Sequence, residues 1–150
     1  MTTKLNGQVP VLISACLLGL KSRYNCKAAL SPEAKAATEG RYLIPICPEQ
    51  MAGLPTPRPS AEICGGNGND VLDGKATVVD ENGKDVTSYY LNGAKKILEI
   101  AKLNGSKEII LKEKSPACGV TTICSENETI EGMGVTTALL LREGYTVRGL

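Results

Sequence analysis

The sequence predicts an α/β protein: a single-domain, three-layer sandwich with a Rossmann-like, mostly parallel sheet of about four strands, helices on both faces and a small β arm. Short apolar runs rich in branched residues alternate along the chain with segments that carry helix start and stop signals. That alternation is typical of parallel sheets. The length of 150 residues suits one domain, so we expect residues 1–150 to form a single unit.

The first half of the chain supplies two predicted strands and one helix. The apolar runs 9–15 and 42–46 predict buried strands, and each is followed directly by a cysteine. Between them, Ser-Pro-Glu at 31–33 predicts the start of a helix that ends at Gly40. Residues 48–59 are dense in proline and glycine and predict a loop.

The second half of the chain supplies the arm, the longest helix and the remaining sheet elements. Glycine-rich residues 65–69 predict a surface turn, and residues 75–79, followed by an Asn-Gly turn, predict the arm. Apolar residues at helical spacing predict a long helix that Asp85 or Thr87 caps and that Gly105 ends. The later elements are a strand at 108–111, a helix at 134–141 and a strand at 145–148.

Composition and charge exclude several classes of function. Seventeen basic residues oppose 16 acidic ones, so the chain lacks the basic surface of a nucleic-acid-binding protein. Aromatic residues make up 3% of the chain, which leaves few platforms for stacked bases and predicts an aliphatic core. No apolar run has the length of a membrane span, and the polar residues 1–7 lack a signal-peptide core. We therefore expect a soluble, cytoplasmic protein with neither nucleic-acid nor membrane partner.

The histidine and cysteine counts narrow the chemistry further. The chain has no histidine, which excludes Ser-His-Asp and Cys-His catalytic groups and removes the commonest general base and metal ligand. It has six cysteines but no CxxC pair, so a zinc ribbon or thioredoxin-type motif is not indicated. In a cytoplasmic protein, such cysteines indicate metal binding or catalysis more than disulfides.

Three of the cysteines occupy equivalent places in the predicted fold. Cys16, Cys47 and Cys118 each lie just beyond the C-terminal end of a predicted parallel strand, the edge where open α/β sheets bind ligands. For each cysteine alone, a small buried hydrophobe is the simpler interpretation. Three converging thiols without histidine predict a site for zinc or an iron–sulfur cluster with one open metal position. The other cysteines, which fall in predicted loops, are Cys26, Cys64 and Cys124.

Polar residues near these cysteines are the candidate catalytic and substrate-binding groups. Glu49 is placed to deprotonate water or orient a substrate, with an ordinary solvated charge as the alternative. Ser115 lies in a Ser-Pro turn, which also gives it a structural explanation. Arg58, between two prolines, is a fixed cation that suits a carboxylate or a polar substrate edge. Arg23 and Tyr24 are similar candidates, and surface exposure is the alternative for all three.

Six sequence blocks, in order along nearly the whole chain, resemble one protein family, the domain-of-unknown-function family 523, which includes the 2-thiouracil desulfidases. The blocks are Ser14-Ala15-Cys16-Leu17-Leu18-Gly19, Arg23-Tyr24-Asn25, Cys47-Pro48-Glu49 leading to Gly53-Leu54-Pro55-Thr56-Pro57-Arg58, Asp85-Val86-Thr87 with Gly93-Ala94, Leu111-Lys112-Glu113 with Ser115-Pro116-Ala117-Cys118-Gly119, and Gly132-Met133-Gly134-Val135-Thr136. In the first loop, family members often have Cys-Arg-Tyr-Asp-Gly where this chain has Ser22-Arg23-Tyr24-Asn25-Cys26.

The resemblance implies an oxygen-sensitive [4Fe–4S] cluster that only three cysteines hold, Cys16, Cys47 and Cys118, and that is lost on purification in air. The fourth iron would take the sulfur of a thiocarbonyl, and water would attack the carbon, so that C=S becomes C=O without net redox change. Glu49 and Ser115 are implied as the proton-handling and orienting groups. The substrate would be a thiolated nucleobase such as 2-thiouracil, or a small thioamide.

The sequence leaves two other functions open. A sulfur carrier that uses a cysteine persulfide would keep the thiols without a cluster, and it needs one activated thiolate. A non-enzymatic, zinc-stabilised module that binds a small molecule would use the thiols only for folding. Loss of function on replacement of one cysteine alone would favour the carrier, and colourless protein that unfolds with a chelator would favour the zinc module.

Overall fold

A computed structural model describes residues 9–125 and 127–150. The polar segment 1–7, interpreted above as lacking a signal-peptide core, lies outside the described residues.

The strands are β1 (Val11–Ser14), β2 (Leu43–Ile46), β3 (Ala61–Cys64), β4 (Thr77–Asp80), β5 (Glu108–Leu111), β6 (Thr122–Ser125), β7 (Glu128–Glu131) and β8 (Thr146–Gly149). The helices are α1 (Pro32–Ala37), α2 (Pro48–Met51), α3 (Gly68–Leu72), α4 (Thr87–Asn104) and α5 (Val135–Arg142), with a 3-10 turn at Ala15–Leu18. Within the described ranges, no helix is both long and apolar enough to cross a membrane.

The main sheet has four strands in the order β2-β1-β5-β8, and every neighbouring pair is parallel. The predicted parallel α/β sheet of about four strands is therefore confirmed. From β1 the chain passes to β2 on one side, and later to β5 on the other side. Ligands of open α/β sheets bind beyond the carboxyl ends of the strands, where the strand order reverses in this way. The topology therefore points to the edge beyond β1 and β5.

Alternate residues of the central strands face two different apolar layers, as the pleat of a strand requires. Leu12 and Ile109 belong to the larger core cluster, which α4 and α5 complete. Val11, Ile13 and Ile110 belong to a smaller cluster on the opposite face, which α1 and the 3-10 turn complete. The sheet is thus the middle of three layers, and the core on both faces is largely aliphatic.

The helix boundary signals act as predicted at most positions. Ser31 caps α1 by accepting a hydrogen bond from the Ala34 amide at 3.1 Å, and Gly105 ends α4 in the left-handed conformation. At the start of α4, the N-cap residue Val86 has no capping side chain. Instead, the Asp85 carboxylate accepts the amide of Thr87 at 2.9 Å, so Asp85 satisfies a free helix amide from just outside the helix.

Two short helices replace segments that the sequence predicted as irregular. Residues 48–59 begin with the single turn α2, and the predicted surface turn at 65–69 leads into α3. In α3, the side chain of Asn67 and the side chain of Asp70 cap each other's backbone amides. Such one-turn helices have too few residues to show an apolar periodicity, which is why composition alone predicted loops.

The small β structure also differs from the prediction. The arm strand β4 pairs antiparallel with β3, a strand that precedes it, and a second hairpin forms from β6 and β7. Cys64 and Cys124 therefore lie in strands β3 and β6, and the prediction that they fall in loops was wrong. All residues of β7 are exposed, so this strand lacks the alternation of apolar and polar residues that reveals a half-buried strand.

Candidate functional site

A cavity of about 400 Å³ opens at the carboxyl edge of the main sheet. The last residues of β1 and β2 and the segment that follows β5 line it, together with residues of β3, helix α4 and the β6–β7 hairpin. Every residue singled out in the sequence as a candidate ligand, catalytic group or substrate-binding group lines this one cavity: Cys16, Arg23, Tyr24, Cys47, Glu49, Arg58, Ser115 and Cys118.

The strand ends bring the three predicted ligand cysteines together. Cys16 follows β1 in the 3-10 turn, Cys47 directly follows β2, and Cys118 lies in the loop after β5. Ser14, the last residue of β1, accepts a hydrogen bond from the Lys112 amide at 3.0 Å, which joins the ends of β1 and β5. Residues far apart in sequence therefore meet at one edge, as the parallel sheet requires.

The loop that carries Cys118 is held against the start of α5. Backbone amides at this helix start donate to loop carbonyls: Gly134 to Gly119 at 2.8 Å, Val135 to Pro116 at 2.9 Å and Thr136 to Ala117 at 2.9 Å. A Cβ at Gly134 would lie 2.4 Å from the carbonyl carbon of Ala117 and 2.7 Å from the amide nitrogen of Cys118. Only glycine permits this approach, so the Gly-Met-Gly-Val-Thr block positions a cavity cysteine.

A carboxylate fixes the other side of the same loop. Glu113 accepts the backbone amides that follow the loop, those of Val120, Thr121 and Thr122. Partial burial by itself would raise the pKa of Glu113, but these hydrogen bonds and one from the Thr121 hydroxyl outweigh it and lower the pKa. Sequence reasoning assigned Glu113 no role, because its partners follow it by seven to nine residues, a spacing with no local motif.

The three thiols are placed where they disfavour one another's ionisation. Burial raises the pKa of Cys118 well above its ordinary value, and the negative charges of Cys47, Glu49 and Cys16 raise it further. Burial and then the charge of Cys47 raise the pKa of Cys16. Burial also raises the pKa of Cys47. Three thiols with these pKa shifts stay protonated unless a cationic group binds them and reverses the electrostatics.

The donor set fits a cluster better than a single ion. Among residues 9–125 and 127–150, no group of three or more histidine, cysteine, aspartate or glutamate side chains could hold one metal ion. The ligands of an iron–sulfur cubane bind separate iron atoms, so they stand further apart than the ligands of one ion. Cys16, Cys47 and Cys118 could therefore hold such a cluster and leave one iron free of these three ligands, while a fourth cysteine, Cys124, also lines the cavity.

Glu49 is held by two side chains on a single carboxylate oxygen. The Arg58 Nε donates to Oε2 at 3.1 Å, and the Tyr90 hydroxyl donates to the same oxygen at 3.0 Å. Tyr90 comes from α4, and the close packing of α4 on α2 brings it there. A Cβ at Gly93 would lie 2.4 Å from the carbonyl oxygen of Pro48. The sequence gives no local signal for this contact, since Tyr90 and Glu49 lie 41 residues apart.

Arg58 is buried and hydrogen-bonded to several groups, so it is not a free surface cation. Its residue is 7% exposed, and each guanidinium nitrogen donates within the protein. The acceptors are the Glu49 carboxylate at 3.1 Å, the Thr56 hydroxyl at 3.1 Å, the Pro55 carbonyl at 3.3 Å, the Ser22 carbonyl at 3.1 Å and the Cys47 sulfur at 4.0 Å. This network ties a predicted ligand cysteine to a predicted catalytic carboxylate. A direct role of Arg58 in substrate binding stays a prediction.

The remaining candidates line the cavity in different ways. The Ser115 hydroxyl oxygen accepts the amides of Ala117 and Cys118, each at 3.1 Å, and no residue in the described part of the chain accepts its proton. It therefore shapes the turn and keeps a donor for a cavity ligand. The Tyr24 residue is 40% exposed, and the Arg23 guanidinium carbon lies 5.7 Å from its ring centre. This pair lies at the rim of the cavity.

Comparison with known proteins identifies the family. The family model described as 2-thiouracil desulfurase matches residues 11–149. The chain belongs to this family. The protein named "Uncharacterized protein YbbK" of Bacillus subtilis (strain 168) is 43% identical over 140 residues, which cover 91% of this chain and 93% of that protein. A solved structure described as the [4Fe-4S]-dependent thiouracil desulfidase TudS matches with a TM-score of 0.79 and 38% identity, over 95% of this chain and 91% of that one.

The structure shows the surroundings of the first-loop residues at which this chain departs from the family pattern. Cys26 has a left-handed backbone, with φ of 61°, at the position where the resembled pattern has glycine, and its side chain is exposed. Ser22, in place of a cysteine, is buried, and its carbonyl accepts bonds from Arg58 and Cys47. Cys124 also lines the cavity, which its predicted loop position did not indicate. All six cysteines are free thiols.

Proposed function

We propose that this protein is a desulfidase that hydrolyses the C=S bond of a small thiolated substrate, a 2-thiouracil-like base or a thioamide, to C=O with release of sulfide. In this proposal a [4Fe–4S] cluster is held by Cys16, Cys47 and Cys118. One observation carries the proposal: three cysteines that follow the carboxyl ends of three parallel strands line one cavity with an anchored glutamate, and that cavity has no histidine. The solved thiouracil desulfidase that the chain resembles supports it.

The reaction needs a Lewis acid for sulfur, a nucleophilic water and two proton movements. When bound, the cluster supplies an iron atom without a cysteine ligand, which is a Lewis acid suited to the soft thiocarbonyl sulfur. Water adds its oxygen to the carbon and the C–S bond breaks. Overall, C=S and H₂O become C=O and H₂S, so no external oxidant or reductant is required.

The protein's own residues handle the water and its protons. Glu49 lies in the cavity wall with its Oε2 fixed, so it can take a proton from water at its other oxygen and later return one. In a chain without histidine, a carboxylate is the natural base for this step. The free hydroxyl proton of Ser115 can be donated to the substrate, which orients it. Arg23 and Tyr24 are the proposed contacts at the rim.

The alternative functions have less support. A persulfide carrier needs a thiolate that is activated by a lowered pKa, whereas the pKa values of Cys16, Cys47 and Cys118 are raised. A zinc-stabilised module needs ligands close enough for one ion, and the described residues offer no such group. Both alternatives also lack a reason for the anchored glutamate in the cavity wall.

Anaerobic reconstitution tests the proposal. The protein is loaded with iron and sulfide without oxygen, and its iron, acid-labile sulfide and visible spectrum are measured. It is then incubated with 2-thiouracil, and uracil and sulfide are quantified. We expect about four iron and four sulfide per chain, and equal amounts of uracil and sulfide. Failure to bind iron, or a loaded protein that converts none of a panel of thiolated bases and thioamides, would overturn the proposal.

A further inference from the structure

Tyr90 is a buried phenol whose partner lies in the catalytic cavity. The residue is 3% exposed, lines the cavity and donates to Oε2 of Glu49 at 3.0 Å. We propose that Tyr90 is a positioning residue for the proposed desulfidase reaction: together with Arg58 it anchors Glu49 by Oε2 and leaves Oε1 as the single oxygen that exchanges a proton with water or substrate. The inference rests on the proposed function, since it assigns Tyr90 a part in that reaction.

The asymmetry of the two carboxylate oxygens is the basis of this proposal. Both hydrogen bonds from described residues go to Oε2, one from Tyr90 and one from Arg58. No described residue donates to Oε1. Both residues line the cavity, but the Glu49 side chain is 14% exposed and that of Arg58 only 3%, so the carboxylate is the more accessible member of this ion pair. Two donors at one oxygen position fix the orientation of the carboxylate, so whichever oxygen lies at the other position keeps the same direction for proton transfer.

Tyr90 and Arg58 contribute differently to this anchor. Arg58 comes from the loop after α2 and shares its donors with several other acceptors. Tyr90 comes from α4, a helix of the main core, and the contact of Gly93 with the Pro48 carbonyl fixes the separation of α4 and α2. Burial, followed by the charge of Glu49, raises the pKa of Tyr90, so the phenol remains protonated and keeps donating. Tyr90 therefore ties the orientation of the catalytic carboxylate to the packing of the core.

The first test compares Tyr90→Phe with Tyr89→Phe, a matched control one residue away, whose hydroxyl has no hydrogen bond among the described residues. Both variants are reconstituted anaerobically and assayed with 2-thiouracil. We expect Tyr90→Phe to keep its iron and sulfide, to lose about tenfold in kcat, and to change KM by less than about twofold, because only orientation in the transition state is lost. The control should match the wild type. An unchanged kcat in Tyr90→Phe, or a rise in KM alone, would overturn the proposal.

The second test separates positioning from a general loss of structure. In Glu49→Gln, the carboxylate that Tyr90 orients is absent as a base, so adding Tyr90→Phe should cost little further kcat. Equal losses in both backgrounds would mean that Tyr90 acts only through folding, which contradicts the proposal.

A third measurement does not depend on activity. In metal-free protein, Tyr90→Phe should lower the melting temperature by about 4 °C, and by less than about 1 °C in a Glu49→Ala background, because the hydrogen bond to the carboxylate is already lost there. Equal decreases in melting temperature in the two backgrounds would contradict the proposed anchoring of Glu49 by Tyr90. If the wild type converts no thiolated substrate while this coupling persists, the proposed function fails and the anchor itself stands.

Discussion

Cys118 reaches the cavity by a different route from Cys16 and Cys47. Cys47 directly follows β2 and Cys16 lies two residues beyond β1, so the strands position these two directly. Cys118 lies seven residues beyond β5, and its place depends on the Ser115 hydroxyl and on the start of α5. At the scale of single residues, its position therefore depends on loop contacts and not on a strand end.

The three cysteines are expected to contribute comparably to cluster binding. Replacement of Cys16, Cys47 or Cys118 by alanine should each abolish most of the iron and sulfide bound after anaerobic reconstitution, since a cluster with two protein ligands is poorly held. Cys64→Ala, outside the cavity-lining set, is the control and should load like the wild type. Loss of function in one variant alone, with full iron content in the others, would favour the persulfide alternative.

Glu49 should affect turnover and not cluster content. Glu49→Gln keeps a similar shape and can still accept the bonds of Tyr90 and Arg58, but amide groups do not take up protons at neutral pH. We expect an unchanged visible spectrum and a loss of kcat of about 100-fold or more. Glu33→Gln, on an exposed position of α1, controls for the change of charge. Wild-type turnover in Glu49→Gln would remove Glu49 from the mechanism.

At the scale of elements, the contact between α2 and α4 sets the distance between Glu49, the proposed base, and Tyr90. Gly93→Ala adds a methyl group where 2.4 Å separates it from the Pro48 carbonyl oxygen. Although alanine favours helices by about 1 kcal/mol over glycine, the clash should lower the free energy of unfolding by about 1–3 kcal/mol net. Urea denaturation of the metal-free protein measures this change in the free energy of unfolding. Asn92→Ala, exposed on the same helix, should stay within about 0.5 kcal/mol of the wild type.

The Cys118 loop gives a pH dependence that can be assigned to Glu113. The amides and hydroxyl that it accepts lower its pKa from the ordinary value of 4.5 in spite of partial burial. The folded pKa thus lies below the unfolded one, so the carboxylate stabilises the fold at pH above about 4.5, and this contribution disappears as the pH falls through the folded pKa. Between about pH 5 and pH 3, the metal-free wild type should lose stability more steeply than Glu113→Gln. An identical slope in the two proteins would contradict the assignment.

At the scale of the whole molecule, we expect the fold to form without the metal. The larger aliphatic cluster joins the sheet to α4 and α5, and it includes only one of the three predicted ligands, Cys118. Removal of iron by a chelator without oxygen should therefore lower the melting temperature by more than about 2 °C, through loss of ligand binding, while the far-UV circular dichroism at 25 °C stays unchanged. Complete unfolding on chelation would instead indicate a metal-stabilised module.

The sequence by itself determined the class of fold and singled out candidate residues that line one cavity. Apolar runs at 9–15, 42–46 and 108–111 have the local pattern of buried parallel strands, and the cysteine after each of the first two is visible in the chain. Because parallel strands share one carboxyl edge, linear positions were enough to group Cys16, Cys47 and Cys118. The absence of histidine needed no structure at all.

Tertiary structure alone decided the partners of those residues. The anchor of Glu49 joins α2 to Tyr90 on α4, and the predicted fixed cation Arg58 is buried and binds the carboxylate of Glu49, so surface exposure, the alternative interpretation, was wrong. The one-turn helix α3 and the β6–β7 hairpin gave no periodic signal. Local sequence records propensity and periodicity, whereas contacts between elements depend on how their faces pack. For that physical reason, the sequence singled out some of the groups that line the cavity, and only the packed fold decided which oxygen of Glu49 accepts the hydrogen bonds of Tyr90 and Arg58.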